Sequence, residues 1–291
     1  MAKPKKEFYV PKKDRRLPTK LDFSRANRVP WTSKQKSLIN LLTRKQKFVM
    51  EDFVELDVDV LEPVDTKCAF IQGMAGVSKT FVAVYSALQL LDRGSVEKII
   101  YVRSAVGSSP NKLGFLKGSL EEKSVVFKSP LSDKLQEILP LDQVKLLEDG
   151  EFVSMETTEY LRGRSLANCV LIADESQNYT WDELVTITSR MAEKSRIWFC
   201  YDPKQSDLNR NHKNDMVKFA GVFNGDDLEN KLNGIVHFEF TKEDIVRSGF
   251  CKYVLEKLEE YEESQKKDHS LLRLTSTSST PPCEVEEWSP S

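Results

Sequence analysis

Gly73-Met74-Ala75-Gly76-Val77-Ser78-Lys79-Thr80 follows the apolar run Cys68 to Ile71 and opens a helix-like segment, Thr80 to Arg93, that stops at Gly94. Strand, glycine-bearing loop and helix in that order are the context in which a GxxxxGK[ST] sequence acts as a phosphate-binding loop, the Walker A motif. The backbone N–H groups of such a loop wrap a phosphate at a helix N-terminus, which already favours an anion. On this reading Gly73, Met74, Ala75, Gly76, Val77 and Ser78 cradle the phosphates. Lys79 reaches the β- and γ-phosphates, and the Thr80 hydroxyl ligates Mg²⁺. Ser78 stands where the pattern has its last glycine. It is expected at the helix start with ordinary helical φ, so that Gly76 is the residue needing glycine's freedom. A strand-to-helix turn that binds nothing is the bland alternative, and an acidic second half separates the two.

Asn168 to Ala173, with Val170, Leu171 and Ile172 consecutive, reads as a strand buried on both faces, and it ends in Asp174-Glu175. Beside a phosphate-binding loop, Asp174 would hold Mg²⁺ through water and Glu175 would orient and deprotonate the attacking water. Lys98 to Val102, Arg196 to Cys200 and Gly234 to Phe240 also read as strands, alternating with helix-like segments. That alternation predicts an α/β chain with a mainly parallel sheet and helices on both faces.

The 291 residues carry 43 Lys and Arg against 45 Asp and Glu, a formal charge of −2, which hides an uneven distribution. Residues 1–29 hold ten basic against three acidic side chains, so the remainder is mildly acidic. Three organisational units are expected: a basic, extended arm over 1–29, one catalytic domain over 30–263, and a Ser/Thr/Pro-rich tail without fixed fold over 264–291. The arm is either a phosphate-neutralising contact to nucleic acid or a solvated tail. Phe250, Val254, Leu255 and Leu258 are spaced for an amphipathic helix just before the tail. Charges interrupt every apolar run short of the ~18 residues of a spanning helix, so no membrane segment is expected. No secretory signal is visible, and cytoplasmic placement is the expectation. Five scattered cysteines without a CxxC pair point away from zinc or disulfides, and Cys68, Cys169 and Cys200 read as small buried hydrophobes.

Thr241-Lys242-Glu243-Asp244 resembles the [NT]KxD sequence by which GTPases read guanine, but no DxxG glycine follows Asp174, and the match is read as coincidental. Asp174-Glu175-Ser176-Gln177 instead resembles the DExQ motif of superfamily 1 helicases. Tyr201-Asp202-Pro203-Lys204-Gln205 resembles their GDPxQ motif, in which Gln205 would contact the γ-phosphate. Trp31-Thr32-Ser33-Lys34-Gln35 resembles a Q motif, with the Gln35 amide pairing to adenine.

Taken in order, GMAGVSKT (73–80), KIIYVRSAV (98–106), KLGFLKGSLEEK (112–123), YLRGRSL (160–166), VLIADESQN (170–178), DPKQSDL (202–208) and DIVRSG (244–249) resemble the PhoH-like ATPases, especially the short phage-encoded forms. The resemblance implies a RecA-like P-loop NTPase domain, ATP hydrolysis, ring-shaped homo-oligomers such as hexamers, and a role on single-stranded RNA or DNA. For a phage-encoded chain it implies the host cytoplasm. Ser78, Ser104, Ala173 and Tyr201 depart from the usual Gly, Pro, Leu and Gly of the family, and none of these removes a charged group. The stretch after Gln205 is too short for a second RecA-like lobe. An arginine finger would therefore come from the same chain or a neighbouring copy, with Arg103, Arg162, Arg164 and Arg247 as candidates. The leading expectation is an ATPase coupled to nucleic-acid remodelling. The alternative is a nucleotide-gated regulatory or assembly module, and a small-molecule kinase lacks a recognisable acceptor lid.

Overall fold

The computed structural model describes residues 16–44, 64–104, 130–209, 211–223 and 227–246, with positions 249, 250, 253, 254, 257 and 261 beyond them. Contacts divide the chain into two units, Met1–Ile245 and Val246–Ser291. In the second unit the described positions between Gly249 and Tyr261 are helical, with the Lys257 ammonium over the Tyr253 ring. Leu255 and Leu258 of the expected apolar stripe, and the tail over 264–291, lie outside the described residues.

The first unit is built on one six-stranded sheet: β1 (Cys68–Gln72), β2 (Lys98–Arg103), β3 (Val153–Thr157), β4 (Cys169–Asp174), β5 (Arg196–Tyr201) and β6 (Ile235–Glu239). Its spatial order is β3-β2-β4-β5-β1-β6, and every pairing is parallel. The five expected strands are all present, each within a residue or so at its ends. Strand β3 is not among them: Val153 and Met155 alternate with Ser154 and Glu156, but two apolar residues in a five-residue strand on a sheet edge make a short signal. All six residues of β4 are buried, the consequence of a central strand covered on both faces.

Residues of alternating parity on the strands enter two separate cores. Ile99, Tyr101, Val170, Ile172, Trp198 and Cys200 face one side, where helices α1 (Ser33–Thr43), α2 (Lys79–Asp92), α3 (130–138) and α4 (Leu141–Asp149) lie. Ile100, Val102, Leu171, Ala173 and Phe199 face the other, covered by α5 (Trp181–Thr188) and α6 (Asp215–Val222). A short α7 (Leu228–Leu232) leads into β6. This is the α/β arrangement of a RecA-like P-loop NTPase, with β5 inserted between the strand of the phosphate loop and the strand of the acidic pair.

Helix α2 is buried at every position from Phe81 to Leu88, so it needs cover on the side away from the sheet. Helix α1 supplies part of that cover. The N-terminal segment supplies the rest: Leu21 and Ala26 are buried, and the Trp31 ring lies 5.4 Å from Phe81 and 4.9 Å from Tyr85. The Leu21 amide donates to Asp92 Oδ1 at 2.8 Å, and the Arg25 guanidinium donates to the carbonyls of Gln136 and Leu139. The expected extended arm over 1–29 is therefore corrected for residues 16–29, which are docked on the domain. Apolar side chains spaced irregularly among the charges give no periodicity, yet they bury against α2. Residues 1–15 lie outside the described residues.

Cys169 and Cys200 are buried packing groups, as expected, whereas Cys68 at the start of β1 is only half-buried. Burial pushes the Cys68 thiol up to about 12 and Cys169 up to about 11. Cys251 and Cys283 lie outside the described residues.

Candidate nucleotide site

The site forms where β1, β4 and β5 end side by side. After Gln72 the chain enters the loop, and the Gly73 amide donates to the Tyr201 carbonyl at 3.1 Å. A Cβ on Gly73 would lie 2.8 Å from Phe240 Cβ and 3.0 Å from Val77 Cγ2, so only glycine lets the loop pack against the end of β6. Gly76 has φ +95°, as its assigned need for freedom requires. Ser78 does not have the expected helical φ. It is left-handed, at φ +66° and ψ +29°, and caps α2 without a side-chain hydrogen bond. Reversing the chain into α2 thus needs two left-handed residues, Gly76 and Ser78.

That geometry sets a balance. A left-handed non-glycine residue costs about 1–2 kcal/mol, and the greater backbone freedom of an unfolded glycine costs about 0.5–1 kcal/mol. Ser78→Gly is therefore expected to raise the unfolding free energy by about 0.5–1 kcal/mol. Urea denaturation checks this, and a loss of stability would place the strain elsewhere.

Lys79 begins α2, and its ammonium curls back onto the loop, donating to the carbonyls of Gly73 at 2.6 Å and Met74 at 3.0 Å. Thr80 Oγ1 donates to Asp174 Oδ1 at 2.5 Å, which joins the loop to the acidic pair across 94 residues of sequence. Asp174 is 6% exposed, and its other oxygen accepts from the Tyr101 hydroxyl. Burial, reinforced by the Asp174 charge, holds the Tyr101 phenol well above its ordinary pKa, so it stays a donor.

Glu175 follows in a left-handed turn at φ +50°, half-buried. Its carboxylate accepts from Gln177 Nε2 at 2.6 Å, while Gln177 Oε1 accepts from the Asp202 amide at 3.0 Å. Ser206 Oγ donates to the Gln177 carbonyl and the Asp207 amide donates to Asn178 Oδ1, so residues 202–208 are clasped to the turn after β4. Gln205 lies in this clasped segment with an exposed side chain. The sequence places Gln177 within a motif and assigns it no role of its own. The amide bridge depends on β4 and β5 being neighbours, which the residues of either strand do not announce.

Gln35 is buried against the phosphate loop. Its amide nitrogen donates to the Val77 carbonyl at 3.4 Å, and its oxygen accepts from the Thr32 amide in the capping box of α1. Lys34, beside it, pairs with Asp244 at 3.3 Å. Asp244 also accepts from the Thr241 amide and hydroxyl. Burial alone would raise the Asp244 carboxyl, but the Thr241 hydrogen bonds and the Lys34 ammonium outweigh it and the net shift is downward. The Thr241 to Asp244 sequence thus closes a turn after β6.

Among the arginines, Arg103 is half-buried at the end of β2, paired in register with Asp174. Arg162 is exposed, and Arg164 forms an ion pair with Glu156 of β3. Arg247 and the 112–123 segment lie outside the described residues.

The oxygens of Thr80 and Asp174 suit a hard cation such as Mg²⁺. Among the described residues no group of three or more His, Cys, Asp or Glu side chains could hold a metal. Two protein oxygens, completed by phosphates and water, match the way Mg²⁺ binds beside nucleotides. No helix among the described residues is long and apolar enough to cross a membrane.

The sequence model of the family described as "PhoH-like protein" matches residues 32–259. The "PhoH-like protein" of Bacillus subtilis (strain 168) is 31% identical over 184 residues, covering 63% of this chain and 56% of that protein. "Protein PhoH" of Escherichia coli (strain K12) is 30% identical over 204 residues, covering 69% and 56%. The chain thus spans little more than half the length of these relatives. Among solved structures, the large terminase of a thermophilic bacteriophage gives a TM-score of 0.44 at 12% identity, over 76% of this chain and 48% of that one. Likeness at that level carries no functional weight.

Proposed function

Because the chain belongs to the PhoH-like protein family, we propose that it binds ATP with Mg²⁺ at the loop over 73–80, hydrolyses it, and couples hydrolysis to single-stranded RNA or DNA as a homo-oligomeric ring. The observation that carries the reading is the 2.5 Å hydrogen bond from Thr80 to Asp174, which brings the phosphate loop and the acidic pair into one site. The loop amides and the α2 N-terminus receive the phosphates. The Lys79 ammonium is already inside the loop and moves from the Gly73 and Met74 carbonyls to phosphate oxygens. Thr80 and Asp174 hold Mg²⁺, which neutralises charge on the β- and γ-phosphates when bound. Glu175 orients water and takes its proton, and Gln177 fixes the Glu175 carboxylate.

The Gln177 bridge also supports coupling. Any partner that displaces residues 202–208 pulls on Asp202, and through Gln177 on Glu175. Gln205, exposed in that segment, is on this reading the residue that senses a strand or a γ-phosphate. Gln35 shapes the loop from behind, and adenine recognition by it would require exchange of the Thr32 or Val77 partner. With Arg164 tied to Glu156, Arg103, Arg162 and Arg247 are the arginines left for transition-state charge, in the same copy or a neighbouring one. Two of the N-terminal cations, Lys20 and Arg25, are used on the domain, so nucleic-acid contact falls to the other basic residues of the arm.

ATP turnover measured with and without single-stranded RNA or DNA tests the coupling. Stimulation that weakens as salt rises is expected, since phosphate contacts release counterions. Turnover indifferent to every strand, alongside nucleotide-dependent assembly in light scattering, would instead favour a nucleotide-gated assembly module.

A further inference from the structure

We infer that Tyr101 is a positioning residue for Asp174, its buried hydroxyl fixing the carboxylate and so setting how tightly the site takes up Mg²⁺. The inference rests on the reading of Thr80 and Asp174 as the Mg²⁺ side of a nucleotide site.

Tyr101 lies on β2, and its register partner on β4 is Ile172. Asp174 is the diagonal neighbour two residues on, on the same face of the sheet, within reach of an aromatic side chain. Tyr101 Oη donates to Asp174 Oδ2 while Thr80 Oγ1 donates to Oδ1. Each carboxylate oxygen is therefore held by one hydroxyl, and the group cannot swing about its terminal torsion without breaking one of them. Tyr101 is 1% exposed and Asp174 6%, so the phenol contact is made away from water, where hydrogen bonds to a charged acceptor are strong. Arg103, the next residue on this face of β2, stands beside Asp174 in register. Groups that orient a metal ligand from outside typically change metal affinity by about 10–100-fold when removed.

An ordinary core tyrosine would also need a partner for its hydroxyl, and the fold contains one for comparison. Tyr179 is fully buried close by, and its hydroxyl donates to the Val102 carbonyl at 2.7 Å. Losing either hydroxyl removes one buried hydrogen bond, but only Tyr101 touches the carboxylate.

The test compares Tyr101→Phe with Tyr179→Phe in the full chain, following Mg²⁺ titration of a bound fluorescent ATP analogue and Mn²⁺ binding by electron paramagnetic resonance. Tyr101→Phe is expected to raise the half-saturating Mg²⁺ concentration about 10-fold or more, with nucleotide affinity in EDTA unchanged. Tyr179→Phe is expected to leave that concentration within about twofold, whatever it does to thermal stability. If Tyr101→Phe does not fold, Tyr101→Met, a smaller but flexible apolar side chain without a hydroxyl, must show the same shift. A wild-type midpoint in the Tyr101 variants, or an equal shift in Tyr179→Phe, would overturn the inference while leaving the nucleotide site intact. Nucleotide binding by the wild-type chain that ignores Mg²⁺ would overturn both.

Discussion

Lys79→Ala is expected to reduce ATP turnover by at least about 10²–10³-fold, the range seen when one preorganised donor to developing charge is removed. Among the described residues Lys79 is the ammonium that lies within the phosphate loop, with its donors on the carbonyls of Gly73 and Met74. The carbonyls hold the ammonium until phosphate oxygens take their place as its acceptors, so the cation is already inside the loop and little reorganisation is needed when a nucleotide arrives. Removing it also weakens nucleotide binding. Its loss should leave the domain folded, because Lys79 is only half-buried and its two carbonyl partners can turn to water. Circular dichroism identical to wild type together with lost phosphate release is the expected pair of results. Undiminished turnover from a clean preparation would remove the phosphate loop from the mechanism.

Glu175→Gln is expected to lower turnover by about 10²–10⁴-fold, the usual contribution of a positioned general base, while nucleotide affinity stays near wild type. The substitution keeps the side chain's shape and one oxygen that can accept from Gln177 Nε2, so it removes the base and little else. Glu175 and Ser78 are two of the five non-glycine residues with positive φ among the described residues, and both border the same site. A left-handed conformation costs each about 1–2 kcal/mol, and backbone strain concentrates where function requires a particular placement. At Glu175 the turn ends β4 abruptly and delivers Gln177 to both the carboxylate and Asp202. Equal turnover in Glu175→Gln, measured by phosphate release, would assign the base elsewhere.

Much of this is readable in the residues. Val170-Leu171-Ile172 is apolar on both strand faces, and β4 is buried on both. The loop over 73–80 and the pair Asp174-Glu175 are each legible as motifs, and the fold brings Thr80 to Asp174. Other parts cannot be read, for physical reasons. The backbone angle of Ser78 is set by the reversal into α2 and by how closely Gly73 meets Phe240, neither of which a residue type encodes. Residues 16–29 look like solvated charge until α2 proves to be buried all round and in need of a cover. Tyr101 has the alternation of a core strand residue, and its hydroxyl acquires a role only when β2 pairs with β4. Thr241 to Asp244 shows the converse: a sequence that resembles a base-reading motif closes a turn and pairs with Lys34.

The central claim is that Mg²⁺ and ATP meet between Thr80 and Asp174. A crystal structure of the chain grown with Mn²⁺ and a non-hydrolysable ATP analogue tests it most directly, because Mn²⁺ gives an anomalous signal where Mg²⁺ would bind. The expected result is an anomalous peak beside Thr80 Oγ1 and the Asp174 carboxylate, with the phosphates inside the loop over 73–80. Nucleotide bound away from that loop, or a metal that avoids both residues, would contradict the account.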